Sequence, residues 1–210
     1  PGGVLQDPPD DFWPALERNI ADLPQYIDEL ESLITGNEIV LTRTREVGTI
    51  TAEHAINSSI TGPILRAAGV QWDIRRAHPY EIYDRLDFDI PIGAVGDTFD
   101  RYLVRIQEMR ESVKILRQCV DQIPNGPFRS ETPFFMRADE GDVYSGIEGP
   151  KGELGFYMVS DGSISPYRCK VRAPSFINLT ALRDMLVGWK MGDLITIFGS
   201  LDIVLGEVDR

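Results

Sequence analysis

The sequence predicts an α+β chain that is predominantly helical, and three observations carry that prediction. Two long segments repeat apolar residues at intervals of three and four, which is the period of one helix face. A third segment, near the C-terminus, alternates apolar and polar residues on either side of a turn. With 210 residues, 42% of them hydrophobic and 26% charged, the chain can bury a core in one or two domains of ordinary globular composition. It divides into a helical part over 1–124, a surface loop over 125–149, and a hairpin followed by C-terminal helices over 150–210.

The first nine residues, with Gly2-Gly3 and Pro8-Pro9, read as loop. Phe12, Leu16, Ile20, Leu23, Ile27, Leu30 and Ile34 then form a helical seam. Asp10 or Asp11 can cap its start, Gly36-Asn37 can end it, and Pro24 predicts a kink or two abutting helices. Residues 38–50 carry short strand-like runs. Thr51 can cap a short helix through Asn57. Thr61-Gly62-Pro63 can open another, with Pro63 in its first turn and Gly69 at its end. The stretch 70–96 is irregular, with a helical piece near Pro79–Asp84. A second long helix starts at Asp97, an effective N-cap, and runs on a seam of Phe99, Leu103, Ile106, Met109, Val113, Leu116 and Val120. Pro124-Asn125-Gly126-Pro127 stops it. Residues 125–149 are rich in proline, glycine and charge and read as an extended loop. Leu154, Phe156 and Met158 alternate toward Asp161-Gly162, and Tyr167, Cys169 and Val171 alternate on the return, which predicts the antiparallel hairpin. Asn178 can cap a helix from Leu179 to Val187, and a last helix spans 192–201.

The net charge is -12, and residues 1–38 hold nine acids against the single base Arg18. An acidic chain repels phosphate backbones and anionic lipid, which argues against nucleic-acid or membrane-surface binding. The acidic run is a solvated helix face or a docking face for a basic partner. No apolar run approaches the length of a membrane span, and no signal peptide is visible. Pro1 in place of Met is expected of a shortened chain. Two cysteines, Cys119 and Cys169, exclude a disulfide framework or a zinc knuckle; they are expected to be reduced thiols. His54 and His78 lack metal-ligand spacing.

No nucleophile–base set is evident, and Gly93-Ala94-Val95-Gly96 lacks the strand–helix context of a phosphate loop. Arg66, Arg75, Arg76, Asp100, Arg101 and Arg105 form ordinary surface ion pairs or a buried polar network that carries protons or tunes a nearby redox centre. Arg168, Lys170 and Arg172 are a partner contact or protection of a sheet edge. Asp202, between Leu201 and Ile203-Val204-Leu205, is the end of the last helix or a buried carboxylate of shifted proton affinity.

Several blocks resemble the hydrogenase-like large subunit of respiratory complex I (NADH:quinone oxidoreductase), the subunit of its quinone site. They are 61–69 (Thr-Gly-Pro-Ile-Leu-Arg-Ala-Ala-Gly), Tyr80–Asp89, Gly96–Arg105, Pro150–Gly155, the stretch from Ser160 through Pro166-Tyr167-Arg168-Cys169 to Pro174, and the closing Gly206-Glu207-Val208-Asp209-Arg210. The resemblance covers the C-terminal half of that family. The family's quinone-binding His and Tyr lie in the other half, and neither His54 nor His78 takes their place.

The resemblance implies a fold like the C-terminal part of the nickel–iron hydrogenase large subunit. Hydrogenases hold their metals with two Cys-x-x-Cys motifs, the second preceded by Asp-Pro. Aligned on Asp202, this sequence has Ile203 for the proline and Val204 and Glu207 for the two cysteines. Without thiolates a soft-metal site is lost, so no metal or other cofactor is expected on this chain. The cavity left behind is the family's quinone pocket, and Asp202, Val204 and Phe198 are expected on its wall. Asp100, Arg101 and Arg66 are expected in a proton or polar network. Quinone is the implied substrate. The implied partners are the other peripheral-arm subunits, above all the one carrying the terminal iron–sulfur cluster, with the membrane reached only through partners. The implied location is the cytoplasmic side of the bacterial inner membrane, or the equivalent matrix or stromal side. The implied activity is that of a proton-pumping NADH:quinone oxidoreductase, in which this chain alone is inactive. The alternative is a soluble hydrogenase-like scaffold or assembly module without redox activity.

Overall fold

The computed structural model describes residues 2–133 and 135–209. Ten α-helices and three strands are found among them: six helices, then the three strands, then four more helices. The architecture is α+β, a helical body with one small antiparallel sheet.

The two periodic seams become the two longest helices, α1 (Phe12–Ile34) and α6 (Thr98–Gln122). They pack together through Ile20 and Ile27 on α1 and Ile106 and Val113 on α6. Pro24 lies inside an otherwise continuous α1. Asp97 caps α6 as expected, its carboxylate accepting from Asp100 N–H at 2.8 Å.

Between them lie four short helices. The segment with strand-like runs over 38–50 is instead α2 (Glu38–Thr44). Asn37 decides the matter: its side-chain oxygen accepts from the N–H groups of Ile39 and Val40, which starts a helix that β-branched residues alone would not favour. α3 (Ala52–Asn57) follows with Thr51 as its cap, and α4 (Pro63–Ala67) with Pro63 in its first turn. The helical piece expected at Pro79–Asp84 is absent. A single helical turn, α5 (Ile74–Ala77), lies earlier, started by Asp73.

The expected surface loop 125–149 is a loop only in part, because its end forms β1 (Gly141–Gly149). β1 pairs antiparallel with β2 (Gly152–Ser160) across a tight turn at Pro150-Lys151. β3 (Arg168–Arg172) adds to the other side of β2. The expected hairpin is therefore the second half of a three-stranded meander in the order β1-β2-β3.

The helix expected over 179–187 begins earlier, as α7 (Pro174–Asn178), and passes through a 3-10 turn, Leu179–Ala181, into α8 (Leu182–Leu186). Asn178 does not cap it. The side chain is buried and joins Thr61 to Lys151, accepting from Thr61 N–H at 3.4 Å and donating to the Lys151 carbonyl at 3.0 Å. The last long helix, α9 (Met191–Leu201), is followed by the short α10 (Leu205–Val208).

A second core gathers Val47, Ile50, Ala55, Ile60, Ile64, Leu65, Ala181, Met185, Ile197 and Leu201, so α3, α4, α8 and α9 close around one apolar centre. The hairpin turn is seated on this body by close backbone contact. Gly62 has φ +74°, and a Cβ there would lie 2.5 Å from the Gly152 Cα. Thr61 Oγ1 accepts from Glu153 N–H at 3.0 Å. Arg172 donates to the Glu153 and Ser59 carbonyls at 2.8 and 2.9 Å. This seat fixes where the residues on either side of the turn point.

Candidate functional site

The seated turn, the flank of α6 and the end of α9 enclose a cleft of about 630 Å³. Leu30, Ile34, Tyr102, Ile106, Met109 and Pro150 give it apolar walls, and Arg66, Arg75, Arg105, Glu108, Glu148 and Asp202 give it charge. An apolar cleft with a few convergent polar groups is the usual form of a small-molecule site.

Asp202 stands at its rim as the C-cap of α9, in the left-handed region at φ 57°, a conformation that aspartate tolerates better than most residues. Its carboxylate meets Lys151 Nζ from the hairpin turn and Arg105 Nε at 3.5 Å. It is not the deeply buried carboxylate that one reading of the sequence expects: its side chain is 42% exposed and ion-paired. Burial pulls the Arg105 guanidinium below the usual arginine value, against the opposing charge of Asp202.

Arg66 forms the floor. It is buried, and three carboxylates surround it: Glu108 at 2.6 Å, Glu148 at 2.9 Å and Asp73 at 3.7 Å. Nη1 also donates to the Trp72 carbonyl at 3.1 Å. Asp73 in turn binds Arg75 through both carboxylate oxygens, with Nη2 at 2.6 Å. Desolvation pulls Arg66 down, but Glu108, Glu148 and Asp73 outweigh it and raise it. Desolvation pushes Asp73 up, yet the Arg75 hydrogen bonds and charge, with Arg66, hold it below the usual aspartate range. Glu148 goes the other way: burial pushes its carboxyl up, Arg66 opposes, and Asp73 adds to the rise.

Arg66 and Asp202 thus line one cleft, although 136 positions separate them in the sequence. Arg101 and Asp100 do not join them. Arg101 is wholly buried and donates to neutral groups: the Gly96 and Gly48 carbonyls, Thr98 Oγ1 and Ser200 Oγ, at 2.8 to 3.0 Å. Burial, and then Arg105, pull it down to about 9, which leaves it charged at neutral pH. Asp100 accepts from three successive N–H groups, those of Ala94, Val95 and Gly96. Both residues tie the start of α6 to its approach and meet at Gly96, apart from the carboxylates that surround Arg66.

Phe198 and Val204 are 42% and 43% exposed, and neither lines this cleft. Val204 N–H donates to Ser175 Oγ at 3.2 Å, and Ser175 donates from both Oγ and N to the Glu207 carboxylate at 2.5 and 2.9 Å. Glu207 therefore satisfies a first-turn N–H of α7. Arg210, the last residue of the closing block, lies outside the described residues. Among the described residues no group of three or more His, Cys, Asp or Glu side chains is arranged to hold a metal ion, and no helix is long and apolar enough to cross a membrane.

Sequence reasoning misses Asp73, Glu108, Glu148 and Lys151 as site residues. One signal is available: Arg101, Arg105, Glu108 and Ser112 fall at intervals of 4, 3 and 4 on α6, a polar stripe beside the apolar seam. Glu148 has none, since it lies in a strand whose composition is that of a loop.

Comparison with known proteins agrees with the blocks that carry the resemblance. The family described as "Respiratory-chain NADH dehydrogenase, 49 Kd subunit" matches residues 1–140 and 135–210. The chain is 60% identical over 209 residues to the NADH-quinone oxidoreductase subunit lettered D of Dehalococcoides mccartyi (strain ATCC BAA-2266 / KCTC 15142 / 195), covering 100% of this chain and 57% of that one. It is 52% identical over 217 residues to the like-named protein of Roseiflexus sp. (strain RS-1), the one numbered 1 there, covering 100% of this chain and 58% of that relative. For the like-named protein of Desulforamulus reducens the identity is 50% over 208 residues, with 99% and 57% covered. The chain thus spans a little over half the length of these relatives. It belongs to the family of the respiratory-chain NADH dehydrogenase 49 Kd subunit.

Proposed function

We propose that this chain is part of the quinone-site subunit of a proton-pumping NADH:quinone oxidoreductase. The observation that carries the reading is the cleft at Asp202. Its charged rim of Asp202, Lys151 and Arg105 can orient a polar headgroup, and its apolar walls suit a hydrophobic ring and tail. Electrons would arrive from an iron–sulfur cluster in a neighbouring subunit, and protons from carboxyl groups of the cleft. The fold would be that of the C-terminal part of a hydrogenase large subunit, with its metal chemistry gone. Val204 cannot ligate, and Glu207 is engaged with Ser175. In this reading the protein sits in the peripheral arm, on the cytoplasmic side of the bacterial inner membrane or its matrix or stromal equivalent. It meets the membrane only through partners.

Asp202→Ala, made in the full-length subunit, tests the reading. The variant should assemble. It should change quinone turnover or inhibitor sensitivity, while electron transfer from NADH to an artificial upstream acceptor persists. Wild-type quinone kinetics and inhibitor response in the assembled variant would remove Asp202 from the site.

A further inference from the structure

Two polar side chains of α7, Ser175 and Asn178, are fully buried, and neither lines the cleft. A buried polar group is costly unless its hydrogen bonds are made, and apolar residues would fill both places without that cost. Both side chains instead bind the backbone of the two segments that meet at the cleft's rim.

α7 lies between α10 and β2. At its start, Ser175 Oγ accepts from Val204 N–H at 3.2 Å. The Glu207 carboxylate accepts from the Ser175 hydroxyl and from Ser175 N–H, which turns an oxygen lone pair of the hydroxyl toward Val204. At the other end of α7, Asn178 Nδ2 donates to the Lys151 carbonyl at 3.0 Å, and Asn178 Oδ1 accepts from Thr61 N–H at 3.4 Å. Lys151 is one partner of the rim ion pair, and Val204 stands two residues past the other partner, Asp202. Leu201 and Ile203, on either side of Asp202, sit on the apolar core. Such packing holds them in place but is non-directional. Asp202 itself turns the chain in the left-handed region. The Val204 bond to Ser175 fixes the outgoing backbone, and with it the aim of the Asp202 carboxylate at Lys151 and Arg105. The Asn178 bond fixes the hairpin turn at the very residue whose ammonium completes the pair.

We propose that Ser175 and Asn178 are positioning residues: from the two ends of one short helix they set the Asp202–Lys151 pair at the rim, and through it the orientation of the quinone headgroup. The inference rests on the reading that the cleft takes a quinone. α7 is then a brace between the end of α9 and the turn of the hairpin. Neither side chain meets the substrate; each acts through the ion pair.

The test uses the assembled complex with the full-length subunit. It measures KM and kcat for quinone beside electron transfer from NADH to an artificial upstream acceptor. Ser175→Ala and Asn178→Ala should each raise KM about fivefold, the upper scale for a partly exposed ion pair, with kcat and the upstream transfer little changed. Ser175→Thr, which keeps the hydroxyl, should return KM most of the way to the native value. The decisive measurement is a double-mutant cycle. Combined with Asp202→Ala, either alanine substitution should add nothing to the KM of Asp202→Ala alone, because the pair it sets is already broken. A general loss of packing would multiply with Asp202→Ala instead, and effects that multiply overturn the proposal. A native KM in either assembled alanine variant, while Asp202→Ala departs from it, also overturns the brace and leaves the cleft as the quinone site. Native quinone kinetics in Asp202→Ala rejects the cleft reading and the proposal with it. If neither alanine variant assembles, Glu207→Ala, at a partly exposed carboxylate, takes their place in the cycle with the same outcomes.

Discussion

Arg66 and Arg101 are both buried, and they are held by different chemistry. Arg66 is surrounded by carboxylates; Arg101 is surrounded by carbonyl and hydroxyl oxygens that satisfy its hydrogen-bonding demand without cancelling its charge. Arg101 therefore ties Gly48, Gly96 and Ser200 together, three points far apart in sequence. Arg101→Met keeps much of the volume and leaves these acceptors unmatched. It should cost about 3 kcal/mol, at about 1–3 kcal/mol for each group left unsatisfied, read from urea midpoints. The carboxyl groups predict opposite pH slopes. Asp73 is held below the ordinary aspartate value, so its stabilisation is complete above that value and is lost as pH falls through the lowered one. Asp73→Asn should be destabilising by about 3–5 kcal/mol at neutral pH, the scale for breaking a buried ion pair, and the difference should shrink in acid. Glu148 is raised, so its contribution is complete below the ordinary glutamate value and is lost as pH rises through the raised one. Glu148→Gln cannot ionise. Its stability relative to the native chain should therefore climb with pH above the ordinary glutamate value. Chemical denaturation across that range checks both slopes, and parallel lines for either variant would contradict its assignment.

At the scale of elements, the legible parts are those whose period or cap is local. α1 and α6 announce themselves by apolar spacing, α3 and α4 by Thr51 and Pro63, and the β2–β3 pair by alternation. α2 escapes because its seven residues show no period and Asn37 alone decides them. β1 escapes because it contains Gly141, Gly146 and Gly149 and is made a strand by β2 across the turn. The site divides the same way. Arg66 and Asp202 can be singled out as chemistry, whereas Glu108, Glu148 and Lys151 become site residues only when the hairpin turn is seated. That seat depends on Gly62, where the positive φ and the 2.5 Å approach to Gly152 leave no room for a side chain. Gly62→Ala should therefore destabilise the chain by more than the about 1 kcal/mol typical of a glycine substitution, since strain and backbone overlap add. It should also draw Lys151 away from Asp202. Protection of the β1–β2 amides in hydrogen exchange should fall more than protection of α1 and α6. Uniform loss across both would show that the turn is not separately seated.

The whole molecule has two apolar faces that are largely exposed. On α9, Asp193, Ile197 and Leu201 point inward, while Met191, Ile195 and Phe198 share the outer face, exposed by 82%, 75% and 42%. Leu205 continues it, 77% exposed. On the sheet, the register sets Val143, Met158 and Cys169 in one row and Ser145, Phe156 and Val171 in the next, so one face is mainly apolar and open. Contiguous apolar surface of this kind promotes association and suits contact with another protein surface. Produced alone, the chain should therefore bind a hydrophobic dye strongly and self-associate. Ile195→Glu should reduce both effects without lowering the unfolding midpoint, because it leaves the buried face of α9 untouched. Ile197→Ala, on that buried face, should instead destabilise by about 2–5 kcal/mol and leave the outer surface as apolar as before. In the intact complex the order should reverse for assembly: Ile195→Glu should be incorporated less well, since its charge would enter a contact that the isolated chain leaves open. A native chain that stays monomeric with negligible dye binding, or an Ile195→Glu protein that assembles in full yield, would show that the outer face of α9 is a solvent surface after all.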